Sequence, residues 1–209
     1  MKILHLVSSG GMFGAERVIL SLAGHQQGVT SIVGALENDH NPHLEVIDEA
    51  KKMNLATVVF SSKGRFDYRV IFSIKDFLLA NNIDIVHTHN YKSDIVGFFA
   101  ARLAKKKWIA TNHVWHGTDT KLKIYEQIDA YLLKFSDQVI GVSQEITTGL
   151  LKAGINRNRA QTIHNGIAIE KFAKISSENS LKKTLGIKDG DIVISIIGRL
   201  SKEKGHTFF

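Results

Sequence analysis

The sequence predicts an α/β protein: a Rossmann-like, doubly wound parallel sheet followed by the opening elements of a second domain. Three observations carry this. Short apolar runs without polar alternation recur along the chain, as in strands covered on both faces. Segments with apolar residues at helical spacing separate them, giving the β-α alternation of a doubly wound fold. A glycine-rich turn, Ser8-Ser9-Gly10-Gly11-Met12-Phe13-Gly14, joins the first apolar run to the first helical segment. In this topology that junction faces the ligand.

The elements follow in order. Residues 2–7 form a strand; the run is too short for a signal peptide and ends in serine and glycine. Residues 15–26 form a helix with Val18, Ile19, Leu22 and Ala23 on one face. Residues 30–36 are strand-like. Pro42, the single proline, opens a helix over 43–53, where its fixed φ suits a first turn. Strands at 56–60, 84–88, 108–113, 138–142 and 160–163 alternate with helices at 67–81, 93–105, 121–135 and 144–153. His164-Asn165-Gly166 is turn chemistry. A short polar helix is expected over 177–183, stopped by Gly186, and then a buried strand over 191–197. The expected domains are 1–168, complete, and 169–209, a linker with the first elements of an incomplete domain.

Composition narrows the class. Of 209 residues, 44% are hydrophobic and 22% charged, as in a soluble globular protein. No apolar run approaches the ~18–20 residues of a membrane span. The absence of cysteine removes disulfides and thiolate metal sites and suits a cytoplasmic protein. The net charge of +7 favours anionic partners. Its densest cluster is Arg102, Lys105, Lys106 and Lys107, followed by Trp108. Such cations complement a helix carboxyl end; alternatively they dock an anionic membrane, with Trp108 at the interface.

Three groups of residues carry chemistry. Gly10, Gly11 and Gly14 let backbone approach a ligand at a helix amino terminus, where free N–H groups favour an anion. Their spacing matches neither G-x-G-x-x-G nor the P-loop, and a tight turn without a ligand has the same composition. His87, His89, His113 and His116 lie at predicted strand ends and in the loop beyond. They raise the question of a metal, but imidazoles in such loops also act as acid, base or phosphate contacts. Gly198-Arg199 and Lys204-Gly205 follow the last apolar run; an arginine fork and a mobile ammonium can neutralise a diphosphate, including a departing one.

These pieces, in this order, resemble the retaining glycosyltransferases of the GT-B fold, the glycosyl transferases group 1 family. GGMFGAER at 10–17 is similar to that family's glycine loop, and VHTHN at 86–90 and ATNHVWHG at 110–117 to its histidine-bearing strand ends. GVSQEITTGLLKAGI at 141–155 and TIHNGIAIEKF at 162–172 resemble its interdomain segment, with His164 and Ala168 departing from the common residues. IIGRLSKEKG at 196–205 resembles the opening of its donor-binding domain. The resemblance implies two Rossmann-like domains: an amino-terminal one for the acceptor and a carboxyl-terminal one for a nucleotide-diphosphate sugar. It assigns Gly10, Gly11, Gly14, Arg199 and Lys204 to the donor diphosphate and His113 to the reacting sugar. His89, His116 and Glu16 are expected acceptor or sugar contacts. The family's E-x7-E motif comes after the opening of its donor-binding domain, and no counterpart follows Gly205 in this sequence.

The resemblance implies sugar transfer with retention, without a cofactor or bound metal, onto a carbohydrate or lipid-linked acceptor in envelope polysaccharide or lipopolysaccharide synthesis. The expected location is cytoplasmic, peripheral on the inner face of the membrane, and the isolated chain is expected to be inactive. The competing reading is a non-catalytic or split subunit whose partner supplies the donor domain. A dinucleotide-dependent oxidoreductase, with Glu37 as ribose ligand, suits the topology but not the glycine spacing. Nucleic-acid binding rests on charge alone and is not expected.

Overall fold

The computed structural model describes residues 1–39, 42–64, 67–113, 120–169, 183–188, 190–198, 200 and 205–208, with backbone alone for 120–124. The chain divides into two compact units, Met1–Ile167 and Ala168–Phe209.

The first unit is a seven-stranded, wholly parallel sheet. Its strands are β1 (Lys2–Val7), β2 (Thr30–Asn38), β3 (Ala56–Ser62), β4 (Ile85–Thr88), β5 (Lys107–Asn112), β6 (Gln138–Gly141) and β7 (Ala160–Thr162). The helices between them are α1 (Gly14–His25), α2 (Glu45–Lys52), α3 (Arg69–Ala80), α4 (Tyr91–Ala104), α5 (Thr120–Leu133) and α6 (Gln144–Lys152). The strand order is β3-β2-β1-β4-β5-β6-β7. The winding therefore reverses between β1 and β4, and a crevice opens there at the strands' carboxyl ends.

Period-two alternation sends successive side chains of each strand to opposite faces. On one face, Leu4, Leu6, Ile32, Phe60, Val86 and Trp108 join the core that also holds Val70, Ile74, Leu78, Ala100, Leu133 and Leu150 of α3 to α6. On the other, Val7, Val33 and Ala35 meet Ile19, Leu20 and Ala23 of α1 and Val46, Ile47 and Ala50 of α2. His5 lies between Leu4 and Leu6 in sequence and so belongs to the α1–α2 face with Val7.

Several expectations need correction. The segment 191–197 belongs to no ladder of the described sheet, and Ile192 and Ile197 are more than nine-tenths exposed. An apolar run signals burial, but a strand exists only with a hydrogen-bonded neighbour, and no described strand pairs with it. Pro42 does not open α2; the helix starts at Glu45, with Leu44 as its cap. In α1, Leu20 is buried, whereas Val18 and Leu22 are half-buried. Trp108 is not at an interface: it is 2% exposed, and its Nε1 donates to Thr88 Oγ1 at 2.8 Å. The helix expected over 177–183 falls, but for residue 183, outside the described residues. Gly186 is in the left-handed region, with φ +66°, and its N–H donates to the Lys183 carbonyl. No described helix is long and apolar enough to cross a membrane.

Candidate functional site

The glycine turn is held from within by two buried polar residues. Glu16, in the first turn of α1, is 5% exposed. Its Oε2 accepts the Phe13 N–H at 3.1 Å, and its Oε1 lies 3.0 Å from Ser9 Oγ. The same hydroxyl lies 2.8 Å from the Gly11 carbonyl and accepts the Gly11 N–H at 3.1 Å. One hydroxyl hydrogen serves two acceptors, and the carboxylate is the stronger. Glu16 is thus a brace that ties helix to loop, with both oxygens engaged there. Gly11 has φ +132°, and a β-carbon on it would meet the Phe13 ring at 3.2 Å. Gly10 and Gly14 have no such crowding; Gly14 is the first residue of α1.

The loop after β4 is joined to this turn. Asn90 caps α4, its Oδ1 accepting the Ser93 N–H at 3.1 Å, while its Nδ2 donates to the Ser8 carbonyl at 2.9 Å. One side chain therefore starts a helix and closes the two βα loops that flank the switch point.

Beneath these loops lies a cluster of imidazoles. Register pairs His5 of β1 with His87 of β4. The ring centroids of His87 and His89 are 4.2 Å apart, those of His5 and His87 5.2 Å, and those of His89 and His113 5.8 Å. His5 Nδ1 and His89 Nε2 lie 3.4 Å apart, and His87 Nε2 is 2.7 Å from Thr111 Oγ1. Among the described residues, His5 Nε2, His89 Nδ1 and His113 Nε2 are buried with no hydrogen-bond partner. Burial drives His5 down to about 4, a fall that Gln26 beside it partly opposes. It holds His87 and His89 well below the usual histidine range; His5 and His113 add to the effect at both, and His87 adds to it at His89. His113, immediately after β5, is also lowered by burial, with Glu16 pulling the other way. All four rings are neutral at pH 7 and can offer a lone pair or an N–H, but not a charge.

Neutral imidazole is also the metal-binding form. One nitrogen from each of His5, His87 and His89 lies within 4.8 Å of the others. Tetrahedral zinc at about 2.0–2.1 Å from each nitrogen needs donors about 3.3 Å apart, so the rings would have to converge. Among the described residues, no carboxylate takes part in the group.

A cavity of about 340 Å³ opens beside the cluster. Val18, Leu22 and His25 of α1 form one wall, His87, His89 and Thr111 the floor, and Ile163 to Gly166 the far side. On the opposite face of the sheet, Asp94 of α4 and Asp129 of α5 form a buried carboxyl pair. Burial and the Asp129 charge raise Asp94 well above the carboxylate range, and burial raises Asp129 to about 7.

The structure brings together Gly10, Gly11, Gly14, Glu16, His89 and His113 at the carboxyl edge of the strands. His116, Arg199 and Lys204 lie outside the described residues. Sequence reasoning missed His5, Asn90 and Thr111. Asn90 carried a legible signal, a cap residue just before a helical run. His5 carried none, because only the β1–β4 register sets it against His87.

Comparison with known proteins gives consistent results. The sequence profile of Glycosyltransferase Family 4 matches residues 13–171. An Escherichia coli UDP-Gal:alpha-D-GlcNAc-diphosphoundecaprenol alpha-1,3-galactosyltransferase is 31% identical over 152 residues, 68% of this chain and 39% of that one. An uncharacterized 41.2 kDa protein in the cps region of Klebsiella pneumoniae is 28% identical, covering 87% of this chain and 55% of its own. Among solved structures, Anabaena HepE in complex with UDP superposes with a TM-score of 0.75 at 20% identity, over 89% of this chain and 50% of that one. A glycosyltransferase from Rickettsia africae gives 0.68 at 21% identity, over 90% and 50%. The chain spans about half the length of these relatives or less, and at such identities the structural likeness speaks for the fold.

Proposed function

Since the chain belongs to Glycosyltransferase Family 4, we propose that it is the acceptor-side half of a glycosyltransferase with a nucleotide-diphosphate sugar as donor. The acceptor is a carbohydrate or a lipid-linked saccharide of the cell envelope, as the name of the Escherichia coli relative suggests. One observation carries the reading: the β1–β4 reversal gathers the glycine turn, its Glu16 brace and four neutral imidazoles at one crevice.

The residues divide the work. Gly14, the first residue of α1, offers its backbone N–H to the donor phosphates, and Gly10 and Gly11 let the turn's backbone come close to them, the Gly11 N–H itself going to Ser9 Oγ. His113 Nε2 is buried with no hydrogen-bond partner among the described residues, so it can orient the reacting sugar by a neutral hydrogen bond. Burial keeps it from becoming a cation that would compete with the cationic side chains for the diphosphate. Arg199 and Lys204 neutralise the departing diphosphate as the bond to the anomeric carbon breaks. The acceptor hydroxyl oxygen then joins that carbon on the same face, with retention, and its proton passes to the departing diphosphate. No cofactor enters this scheme, and no step is routed through a metal.

The chain needs a donor-binding half, on its own polypeptide or on a partner subunit, so alone it turns over little. The test is transfer from UDP-galactose or UDP-glucose to an undecaprenyl-diphosphate-linked N-acetylglucosamine. It is run with this chain alone and with the chain fused to the donor half of the Escherichia coli relative. Transfer by the fusion only, with retained anomeric configuration by NMR, is the expected result. In the fusion, Arg199→Ala and Lys204→Ala each lower kcat by on the order of 10²–10³. Robust turnover by the chain alone, or wild-type rates in both variants, overturns the respective assignment.

A further inference from the structure

Three buried imidazoles meet where the winding of the sheet reverses, and the sugar-transfer scheme gives none of them a role of its own. His5 lies within β1 and pairs across the ladder with His87 of β4. His89 follows two residues on. Thr88, between them, turns to the other face, where its Oγ1 accepts the Trp108 Nε1–H at 2.8 Å. His87 and His89 therefore share the His5 side of the sheet. His5, His87 and His89 are 0%, 6% and 2% exposed. One buried histidine is ordinary; three packed against one another call for a reason.

Hydrogen bonding within the protein does not supply that reason. His5 Nδ1 and His89 Nε2 are 3.4 Å apart, long for a hydrogen bond. His5 Nε2 and His89 Nδ1 have no partner among the described residues. The same 3.4 Å matches the edge, about 3.3 Å, of a tetrahedron of nitrogens around zinc. One nitrogen from each of the three rings lies within 4.8 Å of the others, so modest ring rotations, mainly of His87, bring three lone pairs onto one ion. The donor set selects the metal. Among the described residues the group holds imidazole and no carboxylate, which suits zinc and not magnesium or calcium, whose ligands are oxygens. Three histidines leave a fourth position open. The cavity that reaches His87 and His89 gives the ion a way in, and gives a water or small anion room to fill that position. Thr111 Oγ1, 2.7 Å from His87 Nε2, is placed to orient that ring.

We propose that His5, His87 and His89 form a zinc site that staples β1 to β4 beneath the glycine turn. The ion fixes the floor of the crevice by joining the two strands on either side of the reversal. His113 lies outside the trio, and the proposal does not need the sugar-transfer reading.

Metal titration of the chain, carrying no histidine tag and stripped with chelator, tests it. One zinc per chain is expected to stay bound through gel filtration. Zinc at about a hundred times its Kd should raise the melting temperature by about 5–10 °C. Cobalt(II) in its place should give the intense visible bands of a four-coordinate ion, and zinc should abolish them. X-ray absorption at the zinc edge of the wild type should count three imidazole nitrogens at about 2.0–2.1 Å. His5→Gln and His89→Gln should each weaken zinc binding by more than about 100-fold, the upper range for loss of an orienting group alone. His43→Gln, at the exposed His43–Glu45 pair, should leave it unchanged. Circular dichroism shows whether each variant is folded, and where one is not, the wild-type absorption spectrum decides. No retained zinc, a pale six-coordinate cobalt spectrum, or a shell with fewer than three imidazoles overturns the proposal. So do folded His5 and His89 variants that bind zinc like wild type. Loss of binding in His43→Gln overturns it in favour of a surface site.

Discussion

Gly11 is the residue on which the candidate site turns most directly. Its φ of +132° belongs to a region that side chains avoid, and the Phe13 ring fills the space a β-carbon would need. Gly11→Ala is expected to destabilise the turn by roughly 1–3 kcal/mol. In the fusion enzyme it should raise KM for the donor, read by steady-state kinetics. The loop glycines were legible as a pattern, but composition ranks all three alike, and only backbone geometry separates Gly11 from Gly10 and Gly14. His113 is the complementary case. Its position after a strand was readable, but the burial of its Nε2 and the nearness of Glu16 arise from packing. His113→Ala should lower kcat of the fusion by about 10²-fold or more, and His116→Ala less. Equal losses in the two variants would reassign the role.

Elements are coupled by close approaches that a one-dimensional pattern does not contain. Gly141 ends β6, where α6 turns back across it, and a β-carbon there would lie 2.8 Å from the backbone nitrogen of Thr147. Backbone cannot rotate aside as a side chain can, so Gly141→Ala is expected to cost about 1–3 kcal/mol. A matching drop in the urea midpoint measures it; an unchanged midpoint would mean that α6 shifts freely. The helices themselves were largely readable. α3, α4 and α6 begin or end within about two residues of their apolar periodicity, within the usual error of such boundaries. The exception is instructive: Pro42 suits a first turn, yet α2 begins three residues later, where Leu44 accepts the first N–H bonds from Ile47 and Asp48. The failed strand at 191–197 makes the same point more strongly, since its residues are strand formers without a described neighbour.

At the scale of the whole molecule, buried titratable groups on the two faces of the sheet oppose each other. Folding lowers His5 from 6.5 to about 4, and His87, His89 and His113 move in the same direction. Between those values the unfolded chain binds more protons, so these groups make stability rise as pH climbs from about 4 to about 6.5. Asp129 is raised from 3.8 to about 7, and Asp94 is raised with it. Here the folded chain binds more protons, so their contribution falls as pH climbs from about 4 to about 7. Asp129→Asn removes much of the falling part. Relative to wild type, the variant should gain stability steadily over that interval, on the order of 1 kcal/mol or more by neutrality. Urea unfolding at stepped pH measures the difference, and a constant offset would show that the pair does not titrate with folding. Such opposition has no trace in the sequence, where Asp94 and Asp129 are two acids on two helices and His5 is one residue of a strand. What the sequence by itself determined is the class of fold and the chemistry available at its loops. Those follow from local periodicity and from residue types such as glycine, whose backbone freedom is intrinsic. Only the tertiary structure decided which imidazoles meet and which carboxylates lose their water. Those depend on strand register and helix packing, which join residues as far apart as His5 and His89.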